Sequence, residues 1–180
     1  GLFVVNADDP KAWAVRSRTK AKIAGFGFGE DADVRASEAA CGKDGHWSFT
    51  VSLRATGEKD RIQLGILGRH NAANALAAIA VGSHYGVSMA AMKASLESFR
   101  GLKMRVESLA VGGVRVINDA YNSNPQSFAK AIEALEDCAQ GGRKIVVMGD
   151  MLELGPTERQ EHEKAGRAVD RAGEKAGDKI

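Results

Sequence analysis

Three short strings hold much of this chain's hydrogen-bonding capacity: Gly68-Arg-His-Asn-Ala-Ala-Asn74, Asp119-Ala-Tyr-Asn-Ser-Asn-Pro125 and Gly149-Asp-Met-Leu-Glu-Leu-Gly155. Each mixes hinge residues with polar side chains, where a plain core element would carry neither. In the first, positions three and four apart share a helix face, so Asn74 lies beneath both His70 and Asn71. An Asn amide presents a donor beside an acceptor. That pair matches the N6/N7 edge of adenine, and a flat imidazole can stack on the base. A helix start whose Asn residues satisfy backbone N–H groups fits the same spacing equally well. In the second string, Asp119 closes a strand and opens a loop, which points its carboxylate toward a crevice; a loop acid capping a turn is the plain alternative. Tyr121, Asn122 and Asn124 precede a helix whose positive end favours an anion. Asn124-Pro125 alone is also explained by capping. The glycines of the third string suit a tight turn.

Other polar clusters carry weaker chemistry. Asp8 and Asp9, in Asn6-Ala-Asp-Asp-Pro10, could orient Mg²⁺ through water or simply cap the next helix. Gly25, Gly27 and Gly29 run into Glu30-Asp-Ala-Asp33 without a helix behind them, so they lack what a dinucleotide fingerprint requires. His162 sits between Glu161 and Glu163 and reads as part of a solvated helix face. His46 and His84 have no neighbour at metal-ligand spacing. The two cysteines, Cys41 and Cys138, are isolated thiols, as expected of a reduced cytoplasmic protein. Trp13, Trp47 and the methionines read as core. A Gly-x-x-x-x-Gly-Lys-Ser/Thr phosphate loop is nowhere in the sequence.

The elements that must position these groups follow from periodicity. The 180 residues are 44% hydrophobic and 27% charged, an ordinary globular balance with room for one core or two small ones. A net charge of +2 gives no electrostatic case for nucleic acid or an anionic membrane. No apolar run approaches the roughly 18 residues of a membrane span. Leu2–Val5 opens the chain in a buried-strand pattern, and a helical stretch starts at Pro10. Ile23–Phe28 is a glycine-weakened strand. Trp47, Phe49, Val51 and Leu53 alternate with polar residues, and residues 61–67 return after a turn, giving an antiparallel patch. Residues 71–82 are nearly all small and apolar, which predicts a helix buried on most sides. Ser88 opens a second helix with Met89, Met92, Leu96 and Phe99 on one stripe, ended by Gly101. Beyond this hinge, residues 105–111 and 114–118 form a hairpin about Gly112-Gly113. A helix starts at Pro125 with Phe128, Ile132 and Leu135 on its apolar face. Lys144–Met148 is the next strand, completing a βαβ unit. Thr157-Glu-Arg-Gln160 is a capping box for a final helix to about Ala172, and a further strand is expected at 178–180.

In this order and spacing, the three strings resemble the second half of a Mur ligase. The Asp-x-Tyr-Asn-x-Asn-Pro and Gly149–Gly155 forms resemble the branch that adds D-alanyl-D-alanine to the cell-wall precursor. The resemblance implies an α/β fold. Residues 1–101 would be the end of a central P-loop-type ATPase domain with a small antiparallel side sheet and a helical pair. Residues 102–180 would be most of a Rossmann-like C-terminal ligase domain. It implies ATP and Mg²⁺ as cofactors, UDP-MurNAc-tripeptide and D-Ala-D-Ala as substrates, an acyl-phosphate intermediate, and a role in peptidoglycan synthesis. The family's phosphate loop, magnesium carboxylate and modified lysine would precede Gly1. The start in mid-strand fits a fragment that is inactive alone and holds no catalytic residue. His70, Asn71 and Asn74 would take the adenine, Asp119 the ribose diol, and Arg105 the nucleotide from the C-terminal domain. Tyr121, Asn122, Asn124, Asp150 and Glu153 would lie at the substrate or domain interface, Asp150 or Glu153 meeting the incoming dipeptide. A sister ligase adding a single amino acid, a folylpolyglutamate synthetase, and a stand-alone nucleotide-binding module remain as alternatives.

Overall fold

A computed structural model describes residues 1–138 and 143–176. It divides into two compact units. The first comprises Gly1–Gly42, His46–Gly65 and Arg69–Phe99, and the second the short segments Lys43–Gly45 and Ile66–Gly68 with the chain from Arg100 onward.

The first unit is built on a five-stranded sheet in sequential order: β1 (Leu2–Asn6), β2 (Lys22–Gly27), β3 (Val34–Cys41), β4 (His46–Leu53) and β5 (Lys59–Leu67). β1 and β2 are parallel, as are β2 and β3, whereas β3 and β4 run antiparallel. The expected antiparallel patch is therefore continuous with the parallel strands. β3 joins the two, and sequence periodicity did not reveal it. Its Val-Arg-Ala-Ser-Glu-Ala-Ala-Cys run is rich in alanine, and a register shift between Ser37 and Ala40, with Glu38 at φ 51°, breaks the alternation.

Helix α2 (Arg69–His84) lies across β1 to β4. It buries Ala72, Ala75, Leu76, Ile79 and Ala80, a single stripe at helical spacing, while Val81 is exposed. The expectation of a helix buried on most sides is thus corrected. Alanine supplies apolar character all round without demanding burial all round. Helix α3 (Met89–Ser98) starts as expected, with the Ser88 hydroxyl accepting from Ala91 N–H; Met89 and Met92 are buried but Phe99 is exposed. The Gly25-x-Gly-x-Gly29 run serves packing. A Cβ on Gly25 would meet the Trp13 ring at 2.8 Å, and one on Gly27 would meet the Asp8 carboxylate at 2.7 Å.

In the second unit, β6 (Glu107–Val111) and β7 (Val114–Asn118) form an antiparallel hairpin. Gly112 and Gly113 both have positive φ, 57° and 78°, as a two-residue turn of matching twist requires. Helix α4 (Pro125–Cys138) packs against α5 (Glu158–Ala176), with Ile132, Ala134, Ala165 and Ala172 among the buried residues. Three expectations change here. Lys144–Met148 forms no strand: β6 and β7 pair with each other, and among the described residues no other strand offers this segment a ladder. Ile145 and Val147 are consequently exposed, as are two methionines expected in the core, Met104 and Met148. Thr157 makes no capping box. A 3-10 turn over Gly155–Thr157 places it inside the helical path, where its hydroxyl donates back to the Leu154 carbonyl at 2.9 Å. The strand expected at 178–180 lies outside the described residues.

Candidate functional site

Polar groups at the start of α2 are set by a sharp turn out of β5. Gly68, at φ 90°, makes that turn where a side chain would be strained. His70 and Asn71 fall in the first helical turn, half-buried, and Asn74 one turn later, exposed. The Asn74 amide donates to Asn71 Oδ1 at 3.0 Å. Asn74 lies beyond the unpaired N–H groups of the helix start, so it is not a cap. Asn71 instead fixes which way its amide faces. One amide hydrogen is used; the second and the carbonyl oxygen form a donor–acceptor pair on the exposed edge. Arg69 is stacked over Phe28 at 5.0 Å and Trp47 at 6.0 Å from the ring centroids. These contacts tie the helix start to the ends of β2 and β4, and no periodic pattern signals them.

The aspartates after β1 serve their own loop. Asp8 takes Phe28 N–H at 2.7 Å and Gly29 N–H at 2.9 Å on its two oxygens, while Asp9 caps α1 (Pro10–Ala14) by accepting from Lys11 and Ala12 N–H. Both carboxylates are turned onto backbone donors. Among the described residues no group of three potential ligands could hold a metal ion. In this structure Asp8 and Asp9 thus act as acceptors for their own loop and helix start.

In the second unit, one knot joins Arg105, Asp119 and Tyr121. Asp119 Oδ1 accepts from Val106 N–H at 3.0 Å, and Tyr121 N–H donates to the Met104 carbonyl at 3.1 Å. Glu107 closes the loop by accepting from Met104 N–H at 3.0 Å. Between these clamps Met104 and Val106 hold φ values of 61° and 50°, a left-handed conformation that is costly for a β-branched valine. Arg105, flanked by the two, projects over the Tyr121 ring at 4.3 Å. The strained backbone thus presents a guanidinium, a carboxylate and a phenol together. Asp119 has one oxygen engaged and, among the described residues, no donor on the other.

Asn124 is explained locally. Its side chain accepts from Gln126 and Ser127 N–H, and Ser127 Oγ accepts from Asn124 N–H, a reciprocal cap of α4. Asn122 is exposed. In the third string Met151 is buried while Asp150 and Glu153 are exposed, Glu153 at φ 63°. His162 departs from its expected place on a solvated face. It is half-buried and bonded through both ring nitrogens, to Met151 N–H and the Glu158 carbonyl. Spacing hid this because the bonded loop is eleven residues away. Cys138 is buried, and desolvation pushes its thiol up against the opposing influence of Arg115, which marks it as inert.

Residues 1–82 match the Mur ligase middle domain, and residues 104–175 match the Mur ligase glutamate ligase domain. The chain belongs to the Mur ligase family. It is 31% identical over 173 residues to the UDP-N-acetylmuramoyl-tripeptide–D-alanyl-D-alanine ligase of Bacillus subtilis, covering 94% of this chain and 35% of that relative. The ligase of the same name from Mycobacterium tuberculosis strain H37Rv is 34% identical, with 93% and 34% covered. A crystal structure of MurF from Acinetobacter baumannii aligns with a TM-score of 0.84 at 32% identity, covering 95% of this chain and 36% of that one. This Mur ligase chain thus spans about a third of the length of the relatives it matches. Mur ligases are ATP-dependent ligases. Among the described residues, no helix is long and apolar enough to cross a membrane.

Proposed function

We propose that this chain contributes the adenosine-binding groups of an enzyme that adds D-Ala-D-Ala to UDP-MurNAc-tripeptide during cytoplasmic peptidoglycan synthesis. The observation that carries the reading is the Asn74 amide, oriented by Asn71 and presenting an exposed donor–acceptor pair. In this reading Asn74 meets adenine beside His70 and Asn71. Asp119 accepts from the ribose through its remaining oxygen, and Arg105 reaches a phosphate. Asp150 and Glu153 lie toward the dipeptide, and Tyr121 and Asn122 toward the reacting groups. The domain boundary falls at 101/102.

The reaction has two steps. A carboxylate oxygen of the tripeptide takes the γ-phosphoryl group of ATP, releasing ADP. The D-Ala-D-Ala amine then attacks the acyl carbon, the C–O bond to phosphate breaks, and the amine gives up a proton. Cationic groups offset charge building on the transferred phosphoryl group. Mg²⁺ would supply part of that charge, but no residue of this chain is assigned to it.

A ligase adding a single amino acid is the second reading. The UDP-N-acetylmuramate–L-alanine ligase of Aquifex aeolicus is 34% identical, yet the match covers 82% of this chain against 94% for the Bacillus subtilis relative. The broader match supports the dipeptide branch. A chimera decides between them: these 180 residues replace the matching 36% of the Acinetobacter baumannii enzyme. ATP-dependent formation of UDP-MurNAc-pentapeptide from D-Ala-D-Ala is expected. Phosphate release with L-alanine but not with the dipeptide would overturn the reading. The 180-residue chain alone should release no phosphate, because its sequence has nothing to cradle the β- and γ-phosphates.

A further inference from the structure

His162 donates or accepts at two backbone sites, and only one arrangement of protons satisfies both. Met151 N–H can only donate, so His162 Nε2, 2.9 Å away, must be the unprotonated nitrogen. The proton then resides on Nδ1, which lies 2.9 Å from the Glu158 carbonyl and donates to it. A backbone carbonyl on α5 thereby selects the tautomer, and the tautomer creates the acceptor that receives the loop. The loop needs such a fastening. It forms no regular element through Leu154, Glu153 and Gly155 hold positive φ, and Leu152 stands 72% exposed beside Met151 at 1%. At the Leu154–Gly155 end the string is tied by Thr157 and Glu158, which bond the Leu154 and Gly155 carbonyls; toward its middle, the buried Met151 side chain and the His162 imidazole hold it.

We infer that His162, as the neutral Nδ1–H tautomer, is a positioning residue that latches the Gly149–Gly155 loop onto α5. By pinning Met151 it holds Asp150 and Glu153 on the exposed rim of the loop. The consequence for acceptor binding rests on the proposed function above; the latch itself does not.

The test uses the 180-residue chain near neutral pH. Long-range proton–nitrogen correlation spectra of the imidazole report the tautomer, and hydrogen exchange reports the Met151 amide. The latch predicts a protonated Nδ1 and a bare Nε2. It also predicts that Met151 exchange accelerates roughly tenfold in His162→Ala, with the remaining core amides unaffected. His162→Gln, whose side-chain carbonyl can accept from Met151 N–H, should recover most of that protection. A protonated Nε2, or equal Met151 exchange in all three proteins, would overturn the inference. Loss of protection across the whole chain in His162→Ala alone would be a folding effect, and the His162→Gln protein then decides: protection near wild type supports the latch, and none contradicts it. A second measurement separates the latch from the acceptor reading. In the chimera, His162→Ala should raise KM for D-Ala-D-Ala several-fold while KM for ATP holds. An intact latch with an unmoved dipeptide KM would sink the loop's assignment to the acceptor and leave the positioning role standing.

Discussion

The Asp119 carboxylate accepts the N–H of Val106 at 3.0 Å, holding a valine at φ 50°. One acid thus stabilises the strained segment that presents Arg105, and it still has an oxygen for a second donor. The structural and binding readings of Asp119 are therefore both available in one residue, and they predict separable effects.

Replacing Asp119 with alanine removes the bond to Val106, so the melting temperature should fall by the equivalent of about 1–3 kcal/mol, the range for a hydrogen bond to a charged group. Asp119→Asn keeps a carbonyl acceptor for Val106 and should retain most of that stability. In the chimera both variants should raise KM for ATP, because ribose contacts exist in ground and transition states alike. A rise confined to the dipeptide KM would move Asp119 to the acceptor site.

The strain has its own signature. Met104 holds φ 61° and is 40% exposed, so glycine at this position loses little burial and gains conformational freedom. Met104→Gly should leave the melting temperature unchanged or raise it by up to the equivalent of about 1 kcal/mol. A clear drop would show that the methionine side chain matters more than the backbone it sits on. If Arg105 is presented by this strained loop, the same variant should weaken ATP in the chimera even as it stabilises the fold.

Charge pairing in the first unit gives a pH dependence. Lys93 Nζ lies 2.8 Å from Asp60 Oδ1, joining α3 to β5. The hydrogen bond from Lys93, then that from Arg61 N–H, holds the Asp60 carboxyl below its ordinary value, and the bond to Asp60 holds Lys93 above its own. A depressed carboxyl contributes stability above its unfolded value and loses it as pH falls through the folded one, so this contribution fades below about pH 4. The raised lysine contributes below about pH 10 and loses it at higher pH. Asp60→Asn should flatten both limbs of the melting temperature against pH, modestly and less so in high salt. Limbs identical to wild type would mean the pair is energetically silent.

The fold was legible where side-chain period and turn chemistry agree. The Ser88 and Asn124 caps, the Gly112-Gly113 hairpin and the alternation of Phe49, Val51 and Leu53 all follow from short-range rules. It was not legible where long-range partners decide. β3 is nearly all small residues, and it exists because β2 and β4 flank it. Lys144–Met148 has the composition of a strand but, among the described residues, no ladder to join. Of the candidate residues, Asn74 and Asp119 were marked by their motifs. The Arg69 stacking, the Met104 and Val106 strain and the His162 bonds depend on groups distant in sequence or on backbone angles, which no spacing rule reports.

Nucleotide selectivity tests the adenine-facing part proposed for the Asn74 amide most directly. Guanine presents an acceptor at O6 where adenine presents the N6 donor, so an amide fixed by Asn71 should discriminate between them. In the chimera, Asn74→Ala should weaken ATP and narrow its advantage over GTP by roughly 1–3 kcal/mol, with little change in melting temperature. An unchanged ATP/GTP ratio with a lowered melting point would contradict the account and return Asn74 to a purely structural part in α2.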